Sequence, residues 1–113
     1  MKIITKILLP EELKQMAAAT FGDLVKAVVD IERKLVAVDA ELHSDLEALL
    51  LENGSEQKNL WGINLYPEMS GAEFLEFDSL INIRPSQDNR SRGVENEEIR
   101  EKITEIVAGR IQR

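Results

Sequence analysis

The chain has 113 residues, a formal net charge of −7 and no cysteine. This length fits a single domain over residues 1–113, and the missing cysteines exclude disulfides, thiolate metal sites and thiol nucleophiles. The acidity disfavours nucleic acid and anionic membrane surfaces as partners. No stretch approaches the roughly 18 apolar residues that span a bilayer, and the N-terminus lacks the apolar core of a signal peptide, so we expect a cytoplasmic protein.

The first part of the chain predicts a strand, a helix and a β-hairpin. Residues 3–8 are rich in β-branched side chains and predict a short strand. Pro10 suits the first turn of a helix, and Gly22 is placed to end that helix. Two apolar runs follow, over 24–31 and 35–40, and a short charged connection between them predicts that the two pair as a hairpin.

A second helix and a fourth strand are predicted next. Ser44, with Glu47 three residues later, has the spacing of a capping box and predicts a helix over 44–53. Gly54 is a suitable residue just beyond its end. Residues 60–66 alternate and are closed by a proline, which is typical of a strand.

The remaining elements complete an α+β domain. Residues 73–84 predict a long strand, 85–95 a polar loop, and Asn96 the N-cap of a last helix. The order is therefore β-α-β-β-α-β-β-α, from which we expect a mainly antiparallel sheet with the helices packed on one face.

Alternate residues of a strand share a face, so the predicted sheet has an apolar and a polar side. Trp61, Ile63, Phe77 and Ile81 are expected in the core. Gly62 falls on the polar side and would leave a gap where a side chain would stand. The polar side is interpreted either as a solvated sheet face or as a binding face. It would collect Lys26, Asp30, Asn64, Tyr66, Asn82 and Arg84.

The binding interpretation predicts a small anionic ligand near the 85–92 loop. Asn64 and Tyr66 would face Asn82 or Arg84 across a strand pair. The guanidinium of Arg84 would grip the anion in a bidentate manner, and the loop adds Arg90 as a further cation. In the alternative interpretation, Arg84 is structural and pairs with a carboxylate such as Asp30 or Glu76.

Catalysis has one weak candidate. His43 is the only histidine and the best available acid or base, with Lys26 and Asp30 as further residues for proton transfer. The alternative makes His43 a residue of the helix junction. No metal site is predicted, because no second histidine or cysteine supports one, and no cofactor motif is present. Whether the protein is an enzyme stays open.

Several phrases together resemble a family of small uncharacterised prokaryotic proteins, the domain of unknown function numbered 5674. The resemblance covers nearly the whole chain and implies a fold unit without an established activity. The phrases are Gly22-Asp-Leu-Val-Lys26-Ala-Val-Val-Asp30, Glu41-Leu-His43, Leu60-Trp-Gly-Ile-Asn64-Leu-Tyr-Pro67, Ser79-Leu-Ile-Asn-Ile-Arg84-Pro and Asn89-Arg-Ser91.

Two function classes therefore remain open. The first is an interaction or self-association module, favoured because no catalytic constellation stands out; a homo-oligomer is compatible with it. The alternative is a small-molecule-binding domain or enzyme with an anionic ligand on the polar sheet face. A nucleic-acid regulator using the loop arginines is a third class, which the acidity of the chain opposes.

Overall fold

A five-stranded antiparallel sheet forms the centre of the computed structural model, which describes residues 1–112. Its strands are β1 (Lys2–Ile4), β2 (Val25–Asp30), β3 (Leu35–Val38), β4 (Leu60–Leu65) and β5 (Leu75–Glu76). The helices are α1 (Pro10–Ala19), α2 (His43–Glu52) and α3 (Glu97–Arg110). The strands lie in the spatial order β1-β3-β2-β4-β5. The predicted α+β class, element order and antiparallel pairing are confirmed.

The helices cover both faces of this sheet, so the expectation that they pack on one face is wrong. One face packs against α1 and α3 and contributes Trp61, Ile63 and their neighbours to the larger apolar core. The other face packs against Leu46 and Leu50 of α2 through Val28 and its neighbours. The reason lies in β2 and β3, which carry apolar residues at successive positions. Strands of that kind must be buried on both sides.

The predicted strand over 73–84 is wrong beyond Glu76. The chain instead forms short 3₁₀ helices over Leu80–Asn82 and Pro85–Gln87. The first begins at Ser79, whose Oγ accepts a hydrogen bond from Ile81 N at 3.2 Å. Ile81 is consequently half-buried against the α2 layer rather than in the core with Trp61 and Ile63, which are buried as predicted.

The side chain of Asn82 takes the place of the missing strand beside β4. Its Oδ1 accepts from Gly62 N at 2.8 Å, and its Nδ2 donates to Gly62 O at 3.0 Å. A Cβ at Gly62 would lie 2.5 Å from Ser79 Cβ. Gly62 therefore permits close approach of the 79–82 segment, and the expected gap for a ligand does not exist because Ser79 fills it.

The start of α2 also differs from the prediction. The helix begins at His43, with Leu42 at the N-cap and no side-chain cap, so Ser44 does not form the predicted capping box. Asn96, in contrast, caps α3 as predicted, since its Oδ1 accepts from Ile99 N at 3.1 Å. A buried hydrogen bond between the side chain of His43 and Ile63 O accompanies the earlier start of α2.

Replacing Gly62 by alanine should destabilise the fold by about 1–3 kcal/mol, because the added methyl group forces the 79–82 segment away from β4. Chemical denaturation measures this change. Gly109→Ala is the matched control: a Cβ there meets nothing within 4 Å, and alanine favours a helix over glycine by up to about 1 kcal/mol. Equal stability of the two variants would contradict the assigned packing.

Candidate functional site

A cleft of about 430 Å³ opens on the α2 side of the sheet, next to the first residues of α2. We call it the polar cleft. Its floor is a row of three residues on adjacent strands, since Lys26 of β2 pairs with Asn64 of β4, which pairs with Glu76 of β5. The walls include the start of α2, the segment from Asp78 to Ile81, and Arg92, and the rim carries Phe21 and Leu42.

Asn64 is the central residue of the floor and is only 6% exposed. Its Nδ2 donates to Glu76 Oε1 at 2.9 Å and to Asp78 O at 3.3 Å, which fixes the orientation of the amide. The opposite atom, Oδ1, is buried and has no hydrogen-bond partner among the described residues. Because an unpaired buried acceptor is unfavourable, Asn64 is suited to receive an N–H or O–H donor from a ligand.

Tyr66 and Glu76 form the end of the floor nearest β5. Tyr66 Oη donates to Glu76 Oε1 at 2.9 Å. Burial, followed by this bond to a carboxylate, raises the pKa of Tyr66 to about 12, so the phenol stays protonated. Glu76 Oε1 thus serves two protein donors, while its Oε2 makes no hydrogen bond in the described chain.

The charged groups of the polar cleft differ in availability. Arg92 Nε donates to Asp78 Oδ1 at 2.7 Å, so these two charges are paired. Lys26 Nζ lies 5.1 Å from the centroid of the Phe21 ring and, within residues 1–112, makes no salt bridge. Lys26 is therefore a cation of the cleft that is available to an anion.

His43 is the first residue of α2 and is 8% exposed. Its Nε2 lies 2.8 Å from Ile63 O, and because a carbonyl can only accept, this nitrogen carries the proton. Burial lowers the pKa of the imidazole from its ordinary value. The neutral ring then holds a lone pair on Nδ1, which can accept a proton. His43 also lines the polar cleft.

Four of the predicted site residues lie in the polar cleft, namely Lys26, His43, Asn64 and Tyr66. The structure does not bring Asp30 and Asn82 to it. Asp30 Oδ1 accepts from Glu32 N at 2.9 Å in the hairpin turn, and its Oδ2 accepts from Ser55 Oγ at 2.6 Å. The side-chain amide of Asn82 is engaged in its two hydrogen bonds to Gly62 of β4.

Arg84 and Arg90 also lie away from the polar cleft. Arg84 Nη2 donates to Leu60 O at 2.6 Å, Nη1 donates to Gln57 O, and the guanidinium stacks 4.2 Å from the centroid of the Trp61 ring. Burial lowers its pKa. Arg84 thus pairs with carbonyls rather than with the carboxylate expected in the structural interpretation. The side chain of Arg90 is exposed.

Sequence reasoning missed three groups of the cleft, because each depends on where segments meet. Glu76 would be recognised as a neighbour of Asn64 if the predicted strand over 73–84 were ended at Glu76 and paired with β4. Arg92 reaches the cleft through the turn built by Asn89, whose Nδ2 donates to Asn82 O at 2.8 Å and to Gly93 O at 2.9 Å. The rim leucine, Leu42, is placed by the packing of α2 on the sheet.

Two kinds of feature were not found in residues 1–112: a cluster of metal-ligating side chains and a membrane-spanning helix. No group of three or more His, Asp or Glu side chains is arranged there to hold a metal ion. None of the three helices has the length and apolar character needed to cross a membrane.

The side chain of His43 should titrate below pH 6.5, with Nε2 protonated in its neutral form, because burial opposes its charge. It is the only histidine, so nitrogen-detected NMR reports on it without ambiguity. The neutral form stabilises the fold: this contribution is complete above pH 6.5 and declines as the pH falls toward the lower folded-state pKa. A pKa at or above 6.5 would contradict the burial.

Arg84→Ala should lower the free energy of unfolding by roughly 1.5–3 kcal/mol, because two backbone carbonyls lose a charged donor. Arg90→Ala, in the same loop and exposed, is the control and should change stability by less than about 0.5 kcal/mol. Thermal or chemical denaturation measures both. An Arg84→Ala protein with the same free energy of unfolding as the wild type would argue against the structural role of Arg84.

Comparison with known proteins adds a family but no activity. No curated protein and no solved structure matches the chain. A family model matches residues 2–110, which is nearly the full length of the chain and includes all of the polar cleft. The resemblance seen in the sequence is confirmed: the chain belongs to the family described as "Protein of unknown function (DUF5674)".

Proposed function

We propose that the protein binds a small anionic molecule in the polar cleft. The observation that carries the proposal is Asn64, whose Oδ1 is buried and unpartnered on the floor of a cleft of about 430 Å³. Small-molecule sites typically have volumes of roughly 300–1,000 Å³ and a few convergent polar groups. This function corresponds to a ligand-binding module, with no requirement for a macromolecular partner.

Two features support a negative group on the ligand. Lys26 is a cation without a carboxylate partner. In addition, α2 begins in the wall of the cleft without a side-chain cap, so the free amides of its first turn and the positive end of its dipole lie beside Lys26. The anion is thus expected at Lys26 and α2, rather than at the loop arginines.

His43 is the candidate catalytic residue of this site. Its Nε2–H bond to Ile63 O orients the ring, and its lowered pKa leaves Nδ1 unprotonated at neutral pH. Such a nitrogen accepts a proton from a bound hydroxyl or ammonium group when the group lies within about 3 Å. A catalytic activity would therefore begin with proton removal from the ligand at His43.

Self-association through the rim of the polar cleft is the second candidate function. Three large apolar side chains are exposed around the opening: Phe21 by 42%, Leu42 by 55% and Leu80 by 67%. Contact with a second copy of the chain would remove this surface from water. The net charge of −7 opposes the association of two identical molecules, so we favour the small ligand.

Inorganic phosphate and succinate, used at millimolar concentration, should raise the melting temperature of the wild-type protein, because a ligand that binds only the folded state stabilises it. Lys26→Met keeps the aliphatic stem and should abolish the shift. Lys102→Met, on the exposed surface of α3, should retain it. Differential scanning fluorimetry measures the shifts.

The absence of a shift with either anion, or an equal shift in Lys26→Met, would contradict anion binding in the polar cleft. Sedimentation velocity on the same samples separates the second candidate. A concentration-dependent dimer that is lost in Leu80→Ser would instead support self-association, because Leu80 is the most exposed apolar residue of the rim.

A further inference from the structure

The two ends of the cleft floor carry opposite charges that are each available to a ligand. Lys26 and Glu76 take part in no salt bridge within residues 1–112. Asp78 and Arg92, the other charged pair of the cleft, neutralise each other. The site is therefore not simply positive: a ligand that carries only an anionic group would satisfy Lys26 and leave the carboxylate of Glu76 facing it.

The strand register sets the separation of the strands that carry these charges. Lys26, Asn64 and Glu76 lie in one row on three adjacent strands, which are about 4.8 Å apart, so the outer two backbones are separated by about 10 Å. An ammonium and a carboxylate on one carbon atom lie about 3 Å apart, and a hydrogen bond of about 3 Å at each end gives a total near 9 Å. A single α-amino acid is therefore similar in length to the spacing between the two strands that carry the charges.

The unpaired acceptors favour an ammonium at the Glu76 end. Glu76 Oε2 makes no hydrogen bond in the described chain, and Asn64 Oδ1, beside it in the row, is buried without a partner. An ammonium group supplies three donors and a positive charge, which match the charge of Glu76 and the unpaired acceptors of the floor. A ligand without this group would leave both acceptors unpaired, which is how such a site discriminates against it.

The rim identifies the kind of side chain. Phe21, Leu42 and Leu80 are exposed apolar residues that line the opening of the same cleft. A bound amino acid whose charged groups reach the floor would direct its side chain toward this rim. An apolar side chain is complementary to it, whereas a charged one would lose hydration without gaining a partner.

We propose that the polar cleft recognises a free α-amino acid with an apolar side chain. Its carboxylate binds Lys26 and the first amides of α2, and its ammonium binds Glu76 and Asn64. The inference rests on the proposed function, since it names the class of molecule that the anion-binding site accepts. His43 lies in the wall of the same cleft.

The test compares three molecules that differ in one group. L-phenylalanine carries both charges, 3-phenylpropanoate lacks the ammonium, and 2-phenylethylamine lacks the carboxylate. Isothermal titration calorimetry should show that L-phenylalanine binds at least about tenfold more tightly than either truncated molecule, because each truncated molecule leaves one charge of the cleft floor without its partner. L-leucine is a second probe with a smaller side chain and should bind in preference to 4-methylpentanoate.

Glu76→Gln is the decisive variant. Its amide oxygen still accepts from Asn64 and Tyr66, so the floor is preserved while the charge is removed. The variant should bind L-phenylalanine no more tightly than 3-phenylpropanoate. Glu98→Gln, on the exposed first turn of α3, should retain the wild-type preference.

The outcomes separate this inference from the proposed function. Equal binding of 3-phenylpropanoate and L-phenylalanine by the wild type would overturn amino-acid recognition and leave anion binding intact. An unchanged preference in Glu76→Gln would overturn it as well. Failure of L-phenylalanine and L-leucine to bind, while phosphate or succinate still raises the melting temperature, contradicts only this inference. Failure of all these ligands contradicts both.

Discussion

The contact of the 79–82 segment with β4 determines the shape of the sheet face that carries the polar cleft. Asn82 bonds to both backbone groups of Gly62, as a neighbouring strand would, and Ser79 occupies the space that any side chain at position 62 would need. The edge of β4 is thereby closed by a side-chain amide instead of a longer β5. As a result the chain leaves the sheet after Glu76, and the residues from Asp78 onward turn upward to form a wall of the polar cleft.

The opposite wall depends on a different constraint, the burial of β2 and β3 on both faces. These strands require a helix on each side, and α2 meets this need by packing Leu46 and Leu50 on the sheet. That packing carries His43 to the carbonyl of Ile63 and orients the ring by a buried hydrogen bond. The only histidine is thus positioned by the core, and its uncapped helix end lies beside Lys26.

Arginine residues are used mainly to hold the backbone together. Arg84 donates to Leu60 O, Arg33 Nη1 donates to Asn53 O at 2.9 Å, and Arg110 Nε donates to Lys34 O at 2.9 Å. Guanidinium groups that are bonded to backbone carbonyls in this manner are not available to an anion, although arginine is a residue type that often binds anions. The charges that remain available in the polar cleft belong to a lysine and a glutamate, which is why we propose a ligand with charges of both signs rather than a simple anion.

Local patterns in the sequence determined the class of fold, the order of its elements, the proline at the start of α1, the N-cap of α3, and the apolar face of β4. These features depend on periodicity, proline, glycine and Asn96, which act over a few residues. The sequence also identified Lys26, His43, Asn64 and Tyr66 as candidate site residues, and all four line the polar cleft, because the alternation of a strand assigns its faces and a lone histidine is conspicuous. The tertiary structure decided where β5 ends, which face α2 covers, and that Arg84 is structural while Glu76 and Arg92 belong to the cleft. Each of these depends on contacts between residues distant in the chain. The side chain of Asn82 bonds to β4 where a neighbouring strand was expected, and Arg84 bonds to backbone carbonyls where an anionic ligand was expected. No local propensity distinguishes those outcomes.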